Sequence, residues 1–254
     1  MKILYFTGTG NSLFVAKRFS AELFSIPQME LQGKYEFSDD SVGFVFPCYM
    51  FDVPLVVKEF LRKVKIDAEY KFAIFTFGGT MMSAPFRMKK FLSKIGMEFD
   101  YISGVEMVDN YIPMFEQSEQ IEKLPGKDVD GNLRKIIDDV ENRVRYVPAP
   151  KAKDRISVGM MRPFKRAILG KKFSRRFKIN EECNECGTCA RVCPSGNISM
   201  DGGVHFHDNC ETCLACIHLC PKNAIHLKKE KSSVRSMNSS VTLSEIIGSN
   251  ERPK

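Results

Sequence analysis

Hydrophobic and polar positions alternate along the first 115 residues in blocks that predict strands and helices in turn. Short runs that are almost wholly apolar are typical of strands buried in a parallel sheet, and longer segments with apolar residues at helical spacing follow them. The predicted strands are "KILYFTG", "SVGFVFPCY", "KFAIFTFGG" and "YISGVEMV", and the predicted helices are "NSLFVAKRFSAELF", "VPLVVKEFLRKV" and "SAPFRMKKFLSKI". This alternation predicts an α/β fold with a doubly wound parallel sheet covered on both faces.

The pattern changes after residue 146 and divides the chain into four parts. Residues 1–146 form the predicted α/β domain, whose last part, 118–146, is largely helical. Residues 147–178 are a basic connector broken by prolines, and 179–227 form a small α+β domain rich in cysteine. Residues 228–254 are rich in Lys and Ser, so we expect a mostly disordered tail, in which "VTLSEII" can form a short helix.

A cysteine motif occurs twice, as "CNECGTCARVCP" from Cys183 and "CETCLACIHLCP" from Cys210. Both copies read C-x2-C-x2-C-x3-C-P, in which three thiolates bind one cubane and the fourth reaches the partner cluster. Zinc sites also use C-x2-C pairs, but they give no role to the third Cys or to the Cys before Pro. The motif therefore predicts two 4Fe-4S clusters. One is held by Cys183, Cys186, Cys189 and Cys220, and the other by Cys210, Cys213, Cys216 and Cys193.

Residues 179–227 resemble a bacterial-type two-cluster ferredoxin, with all eight motif cysteines matched. The resemblance implies a pseudo-twofold domain with two clusters at low reduction potential, close enough for rapid one-electron exchange.

The loop after the first predicted strand, "FTGTGNS", is the second chemical signal. It has no Lys immediately before Ser12, which excludes a nucleotide-triphosphate P-loop, and Leu13 stands where a dinucleotide fingerprint needs its third Gly. Thr7, Thr9 and Ser12 leave a hydroxyl-lined loop at the amino end of a helix. Such a loop suits a phosphate monoester that is bound and not transferred.

The T-x-T-G-N-S pattern resembles the FMN phosphate loop of flavodoxins, and the likeness spans residues 1 to about 140. The resemblance implies that FMN is the cofactor and that the next two strand-end loops flank its ring, with Tyr49 or Phe51 stacking on it. Flavodoxins often stack a Trp on the ring, and this chain has no Trp. The implied cofactor-binding residues are Thr7, Gly8, Thr9, Gly10, Asn11, Ser12, Pro47, Cys48, Tyr49, Phe51, Gly78, Gly79 and Thr80.

The whole chain resembles flavodoxin-ferredoxin fusion proteins of anaerobes, including the "DNYIP" stretch at 109–113. The resemblance implies an electron-transfer iron-sulfur flavoprotein that couples one-electron and two-electron redox partners. Two alternatives stay open. One is an FMN-dependent reductase of a small molecule, with the clusters as electron feed, and the other is a redox sensor that binds nucleic acid through the connector.

Composition and charge complete the expectations. The net charge is +7, and residues 143–178 alone contain 13 Lys and Arg against one acidic residue. This basic segment can compensate the anionic cofactors or dock an acidic redox protein, and it contains no nucleic-acid-binding motif, so we do not expect nucleic acid as a partner. The sequence has no signal-peptide core and no membrane span, and its nine cysteines favour metal binding in a reducing compartment. We therefore expect a cytoplasmic protein.

Overall fold

The structure is a computed structural model that describes residues 1–149 and 172–252. Most of the predicted connector, residues 150–171, lies outside the described residues. In the N-terminal part the strands are β1 (Lys2–Tyr5), β2 (Glu22–Ser25), β3 (Glu36–Ser38), β4 (Ser41–Pro47), β5 (Lys65–Asp67), β6 (Tyr70–Phe77) and β7 (Tyr101–Glu106). The helices are α1 (Asn11–Ala16), α2 (Ile26–Gln32), α3 (Leu55–Leu61), α4 (Ala84–Lys94), α5 (Gln117–Glu122) and α6 (Val129–Glu141), with a 3-10 helix at Leu124–Lys127.

Five of these strands form one parallel sheet in the order β2-β1-β4-β6-β7. Counted among themselves, they run 2-1-3-4-5, which is the order of flavodoxin-like doubly wound sheets. The order reverses between β1 and β4, so the loops that follow these two strands diverge and leave a crevice at the carboxyl edge. The predicted fold class is confirmed, and this crevice is where such sheets hold ligands.

Alternating side chains of each strand build two separate cores, one on each face of the sheet. Ile3 and Tyr5 of β1 pack on one face with α1 and α6, whereas Leu4 packs on the other with α2, α3 and α4. In β4, a Cβ at Gly43 would lie 2.1 Å from Cζ of Phe72, so only Gly leaves room for this ring. The two cores hold the strand ends in fixed positions and thereby position the loops between them.

The first predicted helix is too long. We expected "NSLFVAKRFSAELF" to be helical up to Phe24, but α1 ends at Ala16 and Glu22–Ser25 form β2. These residues pair with β1 in parallel register, Lys2 opposite Glu22 and Tyr5 opposite Ser25. Apolar residues at helical spacing cannot reveal this pairing, because the hydrogen bonds that make β2 come from a strand earlier in the chain.

The described part of the cysteine-rich domain contains four short strands and two short helices. Strand β8 (Phe177–Ile179) pairs antiparallel with β11 (Ile225–Leu227), and β9 (Ile198–Ser199) pairs antiparallel with β10 (His205–Phe206). The helices Thr188–Arg191 and Ala215–His218 occupy equivalent positions in the two copies of the cysteine motif. The repeat in the sequence is therefore a repeat in the structure.

The prediction of a disordered tail is wrong for residues 228–252. This segment returns to the N-terminal domain and ends in a helix, Leu243–Asn250, which begins with a capping box formed by Thr242 and Glu245. Val241, Ile246 and Ile247 pack into the same core as α1 and α6. The Lys- and Ser-rich composition suggested disorder because the segment contains few apolar residues. Those few become buried against the N-terminal domain, which the composition of the segment alone cannot show.

None of the helices in residues 1–149 and 172–252 has the length and apolar character needed to cross a lipid bilayer.

Candidate cofactor and metal sites

A cavity of about 290 Å³ opens at the carboxyl edge of the sheet, a volume at the lower end of the range for small-molecule sites. The loops after β1, β4, β6 and β7 form most of its wall, and Thr212, Cys213 and Leu214 of the C-terminal domain close one side. All predicted cofactor-binding residues except Gly10 line this cavity: Thr7, Gly8, Thr9, Asn11, Ser12, Pro47, Cys48, Tyr49, Phe51, Gly78, Gly79 and Thr80.

Three hydroxyl-bearing residues of the loop after β1 line the cavity. The side chains of Thr7, Thr9 and Ser12 belong to residues that are at most 6% exposed. The N–H of Gly10 donates to Oγ1 of Thr7 over 3.1 Å, and Nδ2 of Asn110 donates to Oγ1 of Thr9. Because both threonine oxygens already accept hydrogen bonds from the protein, their own protons remain available for an acceptor in the cavity.

Gly10 does not line the cavity, but it determines the conformation of the loop after β1. Its φ of 101° lies in the left-handed region that favours glycine, and it is the residue that precedes α1. A Cβ at this position would lie 3.0 Å from Cβ of Asn238 and 3.3 Å from Cβ of Val241. Gly10 thus allows both the tight turn and the close approach of the C-terminal segment.

The loop after β4 is fixed by a buried carboxylate. Asp52 is 4% exposed and receives Nζ of Lys58 over 2.7 Å and Nη1 of Arg87 over 3.0 Å. Its main chain exchanges hydrogen bonds of 3.0 and 3.1 Å with that of Tyr49. Two helices therefore anchor the loop that presents Tyr49 and Phe51 to the cavity, and Phe51 is held at a φ of 59°.

The loop after β7 also lines the cavity, although no sequence motif predicts it as part of the site; its cavity residues are Val108, Asp109, Asn110, Tyr111, Met114 and Phe115. The rule that ligands lie at the carboxyl ends of parallel strands could have found them, because "YISGVEMV" was predicted as a strand. Burial raises the pKa of Asp109, and the nearby Lys127 opposes this shift. Nζ of Lys127 donates to the main-chain oxygens of Met107, over 2.7 Å, and Gly78, and so holds two cavity loops together.

The eight motif cysteines surround two further, smaller cavities. One is lined by Cys183, Cys186, Cys189 and Cys220, and the other by Cys193, Cys210, Cys213 and Cys216. These are the two ligand sets that the motif predicts, each with three cysteines from one copy and the fourth from the other. In the described residues, no three His, Cys, Asp or Glu side chains converge on a site for one metal ion. The ligand assignment stays a prediction, and this grouping supports it.

The surroundings of these thiols suit a cationic partner. Burial raises the pKa of Cys189 and of Cys210 to about 11, and it raises those of Cys213 and Cys216 well above the usual value. Thiolates in such positions need bound metal to compensate their charge. The N–H of Asn197 donates to Sγ of Cys193 over 3.2 Å, and the N–H of Ala224 donates to Sγ of Cys220 over 3.3 Å.

Cys213 belongs to both kinds of site. It lines the large cavity and also the cavity of the second cysteine set. A Cβ at Gly8 would lie 3.2 Å from Cβ of Cys213 and 3.3 Å from the hydroxyl oxygen of Tyr49. The glycine thus allows the predicted phosphate loop to lie directly against a predicted cluster ligand.

Comparisons with known proteins agree with the cysteine site. The family described as a 4Fe-4S dicluster domain matches residues 182–224. No curated protein matches the chain. Among solved structures, the Trp repressor binding protein from Bacillus subtilis matches at 16% identity with a TM-score of 0.30, over 42% of this chain and 83% of that chain. This last likeness is too distant to support a conclusion.

The C-terminal part is therefore a ferredoxin-type domain that binds 4Fe-4S clusters, as the motif predicts. The general function that follows from such a domain is iron-sulfur electron transfer. Redox proteins are the partners that it suggests.

Proposed function

We propose that the chain is an electron-transfer flavoprotein that exchanges electrons between FMN, bound in the 290 Å³ cavity, and two 4Fe-4S clusters. FMN accepts electrons singly or in pairs whereas each cluster accepts one, so together they would couple one-electron and two-electron redox partners. The position of Cys213 carries this proposal, because one residue borders both the cavity and a predicted cluster site.

The cavity residues fit FMN at both ends. Thr7 and Thr9 present hydroxyl protons at the end formed by the loop after β1, which suits a phosphate group. The rest of the wall includes Tyr49, Phe51 and Tyr111, which provide apolar area for a planar ring. Neither Lys nor Arg is among the described residues that line the cavity, so hydroxyl and main-chain groups would bind the phosphate without a cation.

The residues of the chain would also set the order of electron exchange. Cys213 lines the cavity, so the cysteine set to which it belongs, with Cys193, Cys210 and Cys216, is next to the cavity. None of the four cysteines of the other set lines it. Cys186, in that other set, is exposed. The set with Cys213 would therefore serve as the near site, and the set with Cys186 would be the one that a redox partner reaches.

An anaerobic reductive titration of freshly purified protein tests the proposal. We expect an uptake of about four electrons per chain, two by FMN and one by each cluster. In Ser12→Glu, a carboxylate placed at the phosphate end should expel FMN and reduce the uptake to about two electrons without flavin bands. Wild-type protein that takes up only two electrons and contains no flavin would refute the proposal. Rapid turnover of a small-molecule oxidant would instead indicate a reductase.

A further inference from the structure

The C-terminal segment, residues 228–252, contacts the loop after β1 and contributes no residue to the cavity wall. The N–H of Asn238 donates to the main-chain oxygen of Thr9 over 2.9 Å. Asn250 has no exposed surface, and its Nδ2 donates to the main-chain oxygen of Thr7 over 3.2 Å. The main chain of the two threonines is thus held by residues that follow them by more than 200 positions.

A second connection reaches the side chain of Thr9 through Asn110. Oδ1 of Asn110 accepts the hydroxyl proton of Ser236 over 2.9 Å, and Nε2 of Gln117 lies 3.5 Å from the same oxygen. The Ser236 hydroxyl can donate or accept, but Nε2 of Gln117 can only donate, and its position is set by the main-chain oxygen of Asp109, to which it donates over 3.1 Å. Oδ1 of Asn110 therefore faces these two residues, which leaves Nδ2 of Asn110 to donate to Oγ1 of Thr9. The hydroxyl proton of Thr9 is then not used in the hydrogen bond with Asn110. Because Thr9 lines the cavity, this proton is available to an acceptor there.

His218 ties this arrangement to the ferredoxin-type domain. The imidazole is buried, with Nε2 2.8 Å from the main-chain oxygen of Asn110 and Nδ1 3.2 Å from the main-chain nitrogen of Ser236. Nε2 must donate to the carbonyl, so Nδ1 is the acceptor for the Ser236 N–H. The loop after β7, the C-terminal segment and the helix Ala215–His218 therefore meet at one network of hydrogen bonds.

We propose that Asn110 is a positioning residue that makes the Thr9 hydroxyl a donor to a phosphate group in the cavity, and that Gln117 and Ser236 together hold Asn110 in the required orientation. This inference rests on the proposed function, since it concerns the phosphate end of the same cavity. It adds that the site is incomplete without the C-terminal segment.

The test compares FMN with riboflavin, which has the same ring and no phosphate. Both are titrated, with flavin fluorescence as the signal, into the full chain that retains its clusters and has been freed of flavin. In Asn110→Asp, the new carboxylate accepts the Thr9 proton instead of donating to Thr9, and it repels a phosphate. We expect FMN to bind at least about tenfold more weakly while riboflavin affinity changes by less than about twofold.

Two further variants keep the result interpretable. Ser236 lies outside the cavity wall, and Ser236→Ala should weaken FMN binding but not riboflavin binding. Gln32→Glu introduces a negative charge at an exposed residue outside the cavity wall and should change neither. Equal losses for both flavins, or an unchanged preference for FMN in Asn110→Asp and Ser236→Ala, would overturn the inference. A wild-type chain that binds neither flavin would refute the proposed function, and the inference with it.

Discussion

The pairing of cysteines into two sets can be decided by double substitution. Removal of a ligand from a cluster that has already lost one costs nothing further, so two substitutions in one set should act as one. The structure groups Cys193 with Cys210, although Cys189 is closer to Cys193 in the sequence. The double variants Cys193→Ala/Cys210→Ala and Cys193→Ala/Cys189→Ala therefore distinguish the crossed arrangement from an arrangement in which each motif copy holds its own cluster.

The expected magnitudes follow from the membership of the two sets. Wild type should contain two intact four-iron clusters, about eight iron atoms per chain, and each single variant should retain one cluster. Cys193→Ala/Cys210→Ala should also retain one cluster, whereas Cys193→Ala/Cys189→Ala should retain none. In the uncrossed arrangement the two double variants would exchange these results.

Mössbauer spectroscopy of anaerobically purified protein counts the intact clusters, and the single variants show how far each site tolerates the loss of one ligand. Because Cys213 lines the cavity, flavin fluorescence gives a second measure of which cluster is lost. With FMN in the cavity, as we propose, loss of the set with Cys193 should change the flavin fluorescence, because a quenching cluster next to the cavity disappears, and Cys189→Ala should leave it almost unchanged. Intact clusters in Cys193→Ala/Cys189→Ala would refute the reasoning.

Two other predictions concern stability. A Cβ at Gly78 would lie 2.2 Å from Cβ of Asp109, whereas a Cβ at Gly79 has no atom within 4 Å, so Gly78→Ala should lower the free energy of unfolding by about 1–3 kcal/mol and Gly79→Ala should not. Urea denaturation measures both, and equal stabilities would contradict the predicted collision. Burial, together with the hydrogen bond to Asp139, raises the pKa of Tyr101 to about 12. The pKa of Tyr101 is higher in the folded state than the unfolded value of about 10. The contribution of Tyr101 to the free energy of unfolding is therefore complete below about pH 10 and is lost as the pH rises towards 12. Stability should thus fall more steeply over this interval in wild type than in Tyr101→Phe, and parallel profiles would exclude this role.

The sequence by itself predicted the features that depend on neighbouring residues. Alternating apolar runs and helical segments indicated a parallel sheet with helices on both faces, because burial on two faces imposes that pattern locally. The cysteine motif indicated two clusters, because the spacing of the thiols within twelve residues is itself the requirement of the cubane. The loop "TGTGNS" indicated where a phosphate could lie, at the carboxyl end of the first strand.

Only the tertiary structure decided how these local units meet. The position of Cys213 beside Gly8 joins residues about 200 positions apart, and nothing in either motif predicts it. Residues 228–252 become ordered because Val241, Ile246 and Ile247 find a core that β1, α1 and α6 have already built. Oδ1 of Asn110 likewise accepts a hydrogen bond from Ser236, which lies 126 positions later in the chain. Such contacts are determined by the packing of surfaces formed by distant segments, whereas a sequence pattern reports only the surfaces that each segment has to cover.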